Sequence, residues 1–317
     1  MKNNPFAGGL GKQMTQHLTL RRSLGILSQA DEVTLKKFNH YLREHFPRAK
    51  TVTREMVVGY LTTNTHLHSS SRVNEVVYVR QFCLFLFRQD LKVYLPERSL
   101  VPKAQPKVPI HIFNEEEIRT LIGLARALKR RTSVPPYAVL IGLLWVTGLR
   151  PGEALRLNWE DIDFKEGILQ VRKTKFFKSR LVPVSESTLR ALRNYLFFQP
   201  PDDAGLKAPL FRSPKGKRLC KGTLHCVFRR LTALAGIRNV QGKSPRLHDI
   251  RHSFATQTLN DHYRNGKDPN AYLPILATYL GHADGKHTQV YLHVSPHLLQ
   301  DASRRFRNHV RTRKGGV

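Results

Sequence analysis

Cysteine, long apolar runs and acidic side chains are all scarce in this sequence. The chain has 317 residues and only three cysteines, Cys83, Cys220 and Cys226, too few for the disulfide framework of a secreted protein. No apolar run approaches the ~20 residues that span a membrane, and residues 1–9 lack the apolar core of a signal peptide. We therefore expect a protein of the reducing cytoplasm.

The shortage of acidic residues leaves a large positive charge. Lysine and arginine number 53 against 23 aspartates and glutamates, giving a net charge of +30 and a pI near 10.6. A field of this sign favours encounter with polyanions, of which nucleic acid is the first candidate and an anionic membrane surface the second. Residues 1–100 and 101–317 are both basic, so both parts could touch the same polyanion. The alternative is a generally basic protein without such a partner.

Length and proline content predict two domains. Single cores usually stop growing at about 250–300 residues, and four prolines fall between residues 96 and 112. Because proline fixes φ and removes a donor, we interpret residues 96–112 as an extended linker. Residues 1–16 are Gly-rich and polar, which indicates a flexible N-terminus. Residues 17–95 repeat apolar side chains at helical spacing, which favours a bundle of four or five helices.

Residues 113–317 predict a second domain that is mainly helical with a small β-hairpin. Asn114, with a glutamate three residues later, is typical of a capped helix start, and an apolar helix begins at Pro136. Residues 168–171 alternate as a strand, with residues 180–184 as the predicted partner. Further helices are expected over residues 187–197, 224–235, 248–260, 271–280 and 296–309.

Four short motifs follow one another in the second domain. They are Thr147-Gly148-Leu149-Arg150-Pro151-Gly152-Glu153-Ala154, Thr174-Lys175-x-x-Lys178-Ser179-Arg180-x-Val182-Pro183, His248-Asp249-Ile250-Arg251-His252-Ser253-Phe254-Ala255, and Leu280-Gly281-His282-x(8)-Tyr291. Each is weak by itself, but the four in this order are specific. With them the second domain resembles the catalytic domain of the tyrosine recombinase (phage integrase) family. Residues 17–95 resemble the core-binding domain that precedes it, so the resemblance covers nearly the whole chain.

The resemblance implies both a fold and an activity. The fold is mainly α, with an N-terminal helical core-binding (SAM-like) bundle and a C-terminal α+β catalytic domain. The activity is that of a site-specific recombinase, which cleaves and rejoins double-stranded DNA through a 3′-phosphotyrosyl intermediate without a cofactor or metal. Such enzymes work as a tetramer on two DNA sites. We also expect the protein to lie in the bacterial cytoplasm, in association with the nucleoid. Residues 296–309 would dock on a neighbouring protomer or, alternatively, pack on their own chain.

The resemblance also assigns the residues of the site. The six catalytic positions are the nucleophile Tyr291, the phosphate clamp Arg150 and Arg251, the general acid Lys175, the proton relay His248 and the phosphate donor His282. Glu153 matches an acid that orients Arg150. The competing residues are Lys173 and Lys178 for the general acid, and Tyr272 and Tyr279 for the nucleophile. His252 is interpreted as structural.

These residue types suit the chemistry. A guanidinium stays charged, and its fork matches two phosphate oxygens, so two arginines can stabilise the charge that develops in phosphoryl transfer. A phenol with an ordinary pKa near ~10 needs neighbouring cations and a proton acceptor before it can attack. The sequence shows no cluster of acidic residues that would bind Mg²⁺. Cys220, His225 and Cys226 lack the second ligand pair that a structural zinc site would need.

One departure from the family pattern and several rival functions remain. Arg251 and His282 are 31 positions apart, more than in compact members, and the excess falls in residues 260–269. We interpret this stretch as a polar, turn-rich insertion that is solvated or contacts DNA or a neighbouring protomer. The rivals are a type IB topoisomerase, a hairpin telomere resolvase and a DNA-binding regulator on an inactive scaffold. Integration of a mobile element is favoured over dimer resolution or inversion.

Overall fold

The computed structural model describes residues 6–26, 29–89, 91–100, 108–128, 136–172, 179–198, 205–213, 215–281 and 288. The chain divides into two compact units, Met1–Lys107 and Val108–Val317, and each has its own apolar core. The predicted fold class, mainly helical with a small sheet, is confirmed. Across the described ranges, no helix combines the length and the apolar character needed to cross a membrane.

Four helices build the described part of the first unit. They are α1 (Gly11–Ser23), α2 (Gln29–His45), α3 (Arg54–Thr63) and α4 (Ser69–Phe87). Phe38 and Phe82 lie fully buried at the centre of this bundle. The Thr53 side chain accepts a hydrogen bond from the Met56 amide at 3.4 Å, so Thr53 is the N-cap of α3.

The prediction of a flexible segment over residues 1–16 is wrong for residues 6–16. Phe6, Leu10 and Met14 are buried in the core of the first unit, and α1 begins at Gly11. The glycine serves close packing, because a Cβ at Gly11 would lie 2.6 Å from the Phe6 carbonyl oxygen. Phe6 and Leu10 precede the helix, so no helical periodicity in the sequence could reveal their burial.

Helices surround a small sheet in the second unit. The helices are α5 (Glu115–Ala127), α6 (Pro136–Thr147), α7 (Pro151–Ala154), α8 (Glu186–Phe197), α9 (Lys221–Leu234), α10 (Asp249–Arg264) and α11 (Pro269–Leu280). Nearly all of α6 is apolar and much of it is buried, and it packs against α5, α8 and α10. The Asn114 side chain accepts from the Glu117 amide at 2.8 Å, and the Glu117 carboxylate accepts from the Asn114 amide at 3.0 Å. The predicted capping of α5 is therefore confirmed.

The sheet is antiparallel, in the order β1 (Ile162–Asp163), β2 (Ile168–Val171), β3 (Arg180–Pro183). Leu169 pairs with Val182, so both point into the core. The predicted hairpin is confirmed, while β1 was missed because two residues cannot display an alternating pattern. Residues 173–178, which connect β2 to β3, lie outside the described residues.

The stretch that was interpreted as a turn-rich insertion is mostly helical. Residues 260–264 continue α10, and α11 begins at residue 269, so the interpretation is wrong except for the turn between them. Leu259 of α10 and Leu276 of α11 share a small buried core. The polar residues of the stretch lie largely on the exposed side of the helices, where they do not oppose helix formation.

Candidate active site

A sharp corner between α6 and α7 positions Arg150. Gly148 has φ +59°, a left-handed conformation that glycine adopts without strain, and a Cβ there would collide with the Phe254 ring. Pro151 then starts α7, as proline often does at the first helical position. Arg150 thus sits in extended backbone at the start of α7, with its side chain 31% exposed.

Glu153 lies between two arginines. Arg150 Nη1 donates to Glu153 Oε1 at 2.8 Å, and the Arg150 amide donates to Oε2 at 3.0 Å. From the other side, Arg180 Nη2 donates to Oε2 at 2.8 Å and Nη1 to Oε1 at 3.3 Å. Burial would raise the pKa of Glu153, but the hydrogen bonds and charges of Arg180 and Arg150 outweigh it and lower the pKa to about 2. The carboxylate is therefore ionised at any working pH.

Arg251 is almost fully buried on α10, with 1% of its surface exposed. Its Nη1 donates to the Gly148 carbonyl oxygen at 2.9 Å, and its Nη2 donates to the Leu280 carbonyl oxygen at 2.7 Å. These bonds tie α10 to the corner before α7 and to the end of α11. A buried guanidinium held in this way keeps a fixed orientation.

The end of α11 is where both arginines meet. Arg150 Nη2 donates to the Gly281 carbonyl oxygen at 3.2 Å, next in the chain to the Leu280 carbonyl that accepts from Arg251. Gly281 has φ +68° and ends the helix in the left-handed conformation. Carbonyls at a helix C-terminus carry partial negative charge, so they hold cations at this corner without neutralising them.

His248 stands next to these cations, immediately before α10. Its ring lies 4.9 Å from that of His252, edge to face. Burial is the main reason that the pKa of His248 falls to about 3, and the nearby His252, Arg251 and Arg150 lower it further. The imidazole is therefore neutral at physiological pH, which leaves one ring nitrogen able to accept a proton.

The structure brings together four of the seven predicted site residues: Arg150, Glu153, His248 and Arg251. The other three, Lys175, His282 and Tyr291, lie outside the described residues. Both competing tyrosines make ring contacts with α10: Tyr279 stacks on Phe254 at 5.7 Å between ring centroids, and Tyr272 stacks on His262 at 4.0 Å.

Arg180 is the residue that sequence reasoning missed. It belongs to one of the four motifs, but no role was attached to it because its partner Glu153 is 27 positions away. The sequence carries no signal for this pair, because the burial that makes Glu153 need partners is a result of the fold. In the part of the chain that the structure describes, no group of three His, Cys, Asp or Glu side chains could hold a metal ion.

Comparison with known proteins extends this picture. Residues 112–297 match the model of the phage integrase family. The chain is 36% identical to the integrase/recombinase y4rB of Sinorhizobium fredii over 92% of this chain and 94% of that one. It is 29% identical to the tyrosine recombinase XerD of Oceanobacillus iheyensis, over 84% and 87% of the two chains. Among solved structures, its fold is similar to XerH recombinase in a post-cleavage complex with its difH substrate, with a TM-score of 0.64, 23% identity and coverage of 88% and 79%.

Proposed function

The chain belongs to the phage integrase family of tyrosine recombinases, and from this premise we propose that it is a site-specific DNA recombinase. It cleaves and rejoins double-stranded DNA through a 3′-phosphotyrosyl intermediate. The observation that carries the proposal is the pair of guanidiniums, Arg150 and Arg251, that donate to the adjacent carbonyls of Gly281 and Leu280. Two fixed cations at one corner, directly before His282, suit the clamping of a scissile phosphate.

The proposed chemistry is two transesterifications. The Tyr291 oxygen attacks the phosphorus and forms a phosphotyrosyl bond, while the bond from phosphorus to the 5′-oxygen breaks. His248 accepts or relays the phenol proton. Lys175 gives a proton to the departing 5′-oxygen, and His282 donates to a non-bridging oxygen. A 5′-hydroxyl of the partner duplex then attacks the phosphotyrosine, so the energy of the bond is retained and no energy cofactor is needed.

A nicked suicide substrate tests both the activity and the nucleophile. The core site is first located by footprinting on DNA that flanks the gene. The wild type is expected to form a covalent protein–DNA adduct, with or without EDTA, and Tyr291→Phe is expected to form none. Tyr279→Phe is the matched control and should keep the adduct. A wild type that forms no adduct would rule out the enzyme, and an adduct with Tyr291→Phe would rule out the assigned nucleophile.

The working assembly is proposed to be a tetramer on two core sites, joined through residues 296–309. The support is the family itself, in which a segment after the nucleophile often docks on the neighbouring protomer. Truncation after Val294 is expected to leave cleavage of a single site intact and to weaken cooperative assembly on paired sites in gel-shift titrations. Unchanged cooperativity would mean that the segment packs on its own chain.

For the biological role we propose integration of a mobile element. The support is the similarity to y4rB, which is named an integrase/recombinase and is matched over nearly its whole length. Because the chain is also similar to XerD, a dimer-resolving role is the alternative for this protein. Plasmids that carry the DNA flanking the gene distinguish the two. Recombination between two unlike sites supports integration, and recombination only between two copies of one site supports resolution.

A further inference from the structure

We propose that Arg180 is a positioning residue for DNA cleavage, which holds Glu153 so that Glu153 in turn holds Arg150 against the scissile phosphate. The inference rests on the proposed recombinase function and adds a residue to it. Arg180 itself does not need to touch DNA in this role.

Arg150 and Arg180 share one buried carboxylate. Each oxygen of Glu153 accepts from both Arg150 and Arg180, and the Glu153 side chain is 2% exposed. Removal of Arg180 would leave a buried charge with only one partner, which is costly unless the carboxylate turns or takes up a proton. Either response would loosen the hydrogen bonds that orient Arg150.

The two arginines use their terminal nitrogens differently. The Arg180 side chain is 13% exposed and the Arg150 side chain 31%. Arg180 directs both of its terminal nitrogens to Glu153, whereas Arg150 uses one for Glu153 and the other for the Gly281 carbonyl. Arg150 thus reaches the corner at Gly281 where the phosphate is proposed to bind, whereas Arg180 uses both terminal nitrogens to hold the carboxylate.

Arg180 lies close in the chain to a segment of the proposed chemistry. It begins β3, directly after the segment that carries Lys175. Its Nη1 lies only 3.0 Å from where a Cβ of Gly281 would be, and Gly281 precedes His282. A single guanidinium therefore joins the start of β3 to the carboxylate on α7 and lies close to the end of α11. Each of these elements leads to a residue of the proposed chemistry.

The test is a double-mutant cycle on the nicked substrate, in which full-length Arg180→Gln, Glu153→Gln and the double variant are compared. Single-turnover adduct formation is measured at saturating protein, while DNA affinity and thermal unfolding are measured separately. Arg180→Gln is expected to slow cleavage by about 10- to 100-fold, the scale of a small misplacement, with DNA affinity nearly unchanged. Because Arg180 acts through Glu153, the double variant should be no slower than Glu153→Gln alone.

The pH profile and a conservative variant separate positioning from simple stabilisation. In Arg180→Gln the Glu153 carboxylate loses a positively charged partner, so its pKa should rise. As the pH is lowered, cleavage should therefore be lost at a higher pH than in the wild type. That shift should be absent in the Glu153→Gln background. Arg180→Lys keeps the charge but cannot bridge both oxygens, so it should recover part of the rate. If Arg180→Gln unfolds at the assay temperature, Arg180→Lys replaces it in the double-mutant cycle.

Arg172→Gln is the matched control, because Arg172 lies on the opposite side of the same hairpin, directly after β2, and also pairs with a buried acid, Asp161 at 2.7 Å. It should cleave as fast as the wild type. The inference is overturned if Arg180→Gln cleaves normally, if its loss adds fully to that of Glu153→Gln, or if only DNA affinity falls. A wild type without adduct is a different result, which overturns the recombinase function itself.

Discussion

Gly281 binds Arg150 of the site through its backbone carbonyl. Its φ of +68° suits glycine, and its carbonyl accepts from Arg150 at 3.2 Å. Gly281→Ala is expected to lower the free energy of unfolding by about 1–2 kcal/mol, the cost of a left-handed alanine. It should also slow adduct formation, because the new Cβ would press on Arg180. Urea unfolding and single-turnover cleavage measure the two effects.

Gly266 provides the control for this substitution. It has φ +81° in the turn between α10 and α11, and a Cβ there would meet nothing within 4 Å. Gly266→Ala should therefore carry a similar backbone cost in urea while cleavage stays at the wild-type rate. Equal slowing in both variants would mean that Gly281 matters only for stability.

The histidines beside the arginines predict a dependence of stability on pH. Burial and the neighbouring cations lower the pKa of His248 to about 3, while an unfolded histidine keeps a value near 6.5. Between these values only the unfolded state takes up the proton, so this histidine lowers stability as the pH falls from about 6.5 toward 3 and has no effect above that range. Nitrogen NMR of labelled imidazoles should find His248 neutral at pH 5, and a signal that titrates near 6.5 would contradict this.

A substitution separates this effect from general acid sensitivity. His248→Asn should flatten the decline in unfolding free energy between pH 6.5 and 4, since it removes a group that the folded state keeps neutral. His252 contributes in the same direction, because burial lowers its pKa to about 4, with Arg246 and Arg251 adding to this effect against the charge of Asp249. Part of the slope should therefore persist. His40→Asn is the control, because it removes an exposed imidazole of the first unit. It should leave the pH dependence of the second unit's unfolding unchanged.

At the scale of elements, one hydroxyl attaches the start of the second unit to α10. The buried Ser253 hydroxyl accepts from the Phe113 amide at 2.8 Å and donates to the Asp249 carbonyl at 2.8 Å. Ser253→Ala would leave the Phe113 amide buried without a partner, so we expect a loss of about 1–3 kcal/mol in unfolding free energy. Chemical denaturation measures it.

Thr258 on the same helix gives the control. Its hydroxyl makes only the local bond to the Phe254 carbonyl at 2.8 Å, so Thr258→Val removes a hydroxyl without breaking a link between elements. Such local bonds contribute little to helix stability, and the variant should unfold like the wild type. If both substitutions cost the same, the link from Ser253 to Phe113 carries no stability of its own.

The elements that could be predicted are those whose signals are local. The Asn114 cap and the β2–β3 hairpin depend on residues a few positions apart, and both predictions are confirmed. The failures depend on tertiary contacts. Residues 6–16 fold because Phe6 and Leu10 enter a core built by later helices, and residues 260–264 stay helical because α10 packs on α11. Local composition carries neither fact.

At the scale of the molecule, the sequence could predict some features of the site and not others. Motif spacing could select Arg150, Glu153 and Arg251, because each motif is short and contiguous in the sequence. The contacts that hold them together could not be predicted, since Gly148, Leu280 and Gly281 contribute backbone carbonyls, which have no signature in side-chain patterns. Arg180 escaped for a related reason, as its meaning depends on a carboxylate that the fold brings to it.

Charge is spread over both units, which predicts how each contributes to DNA binding. Residues 1–107 hold 17 Lys and Arg against 7 acids, and residues 108–317 hold 36 against 16. We expect the isolated second unit to fold on its own core, and to cleave the nicked site with lower affinity. Its log K should fall less steeply with log salt than that of the full chain, by about 0.9 for each phosphate that the first unit neutralises.

A shorter piece tests whether the boundary is real. Residues 136–317 lack α5, whose Ile118, Leu121 and Ala125 belong to the core of the second unit, so this piece should fail to unfold cooperatively.

Anisotropy titrations at several salt concentrations compare DNA binding by the full chain with that by residues 108–317. Equal salt slopes for the two would mean that the first unit binds no phosphates. Its positive charge would then be a solvated surface, because binding to phosphates must release counterions and steepen the slope.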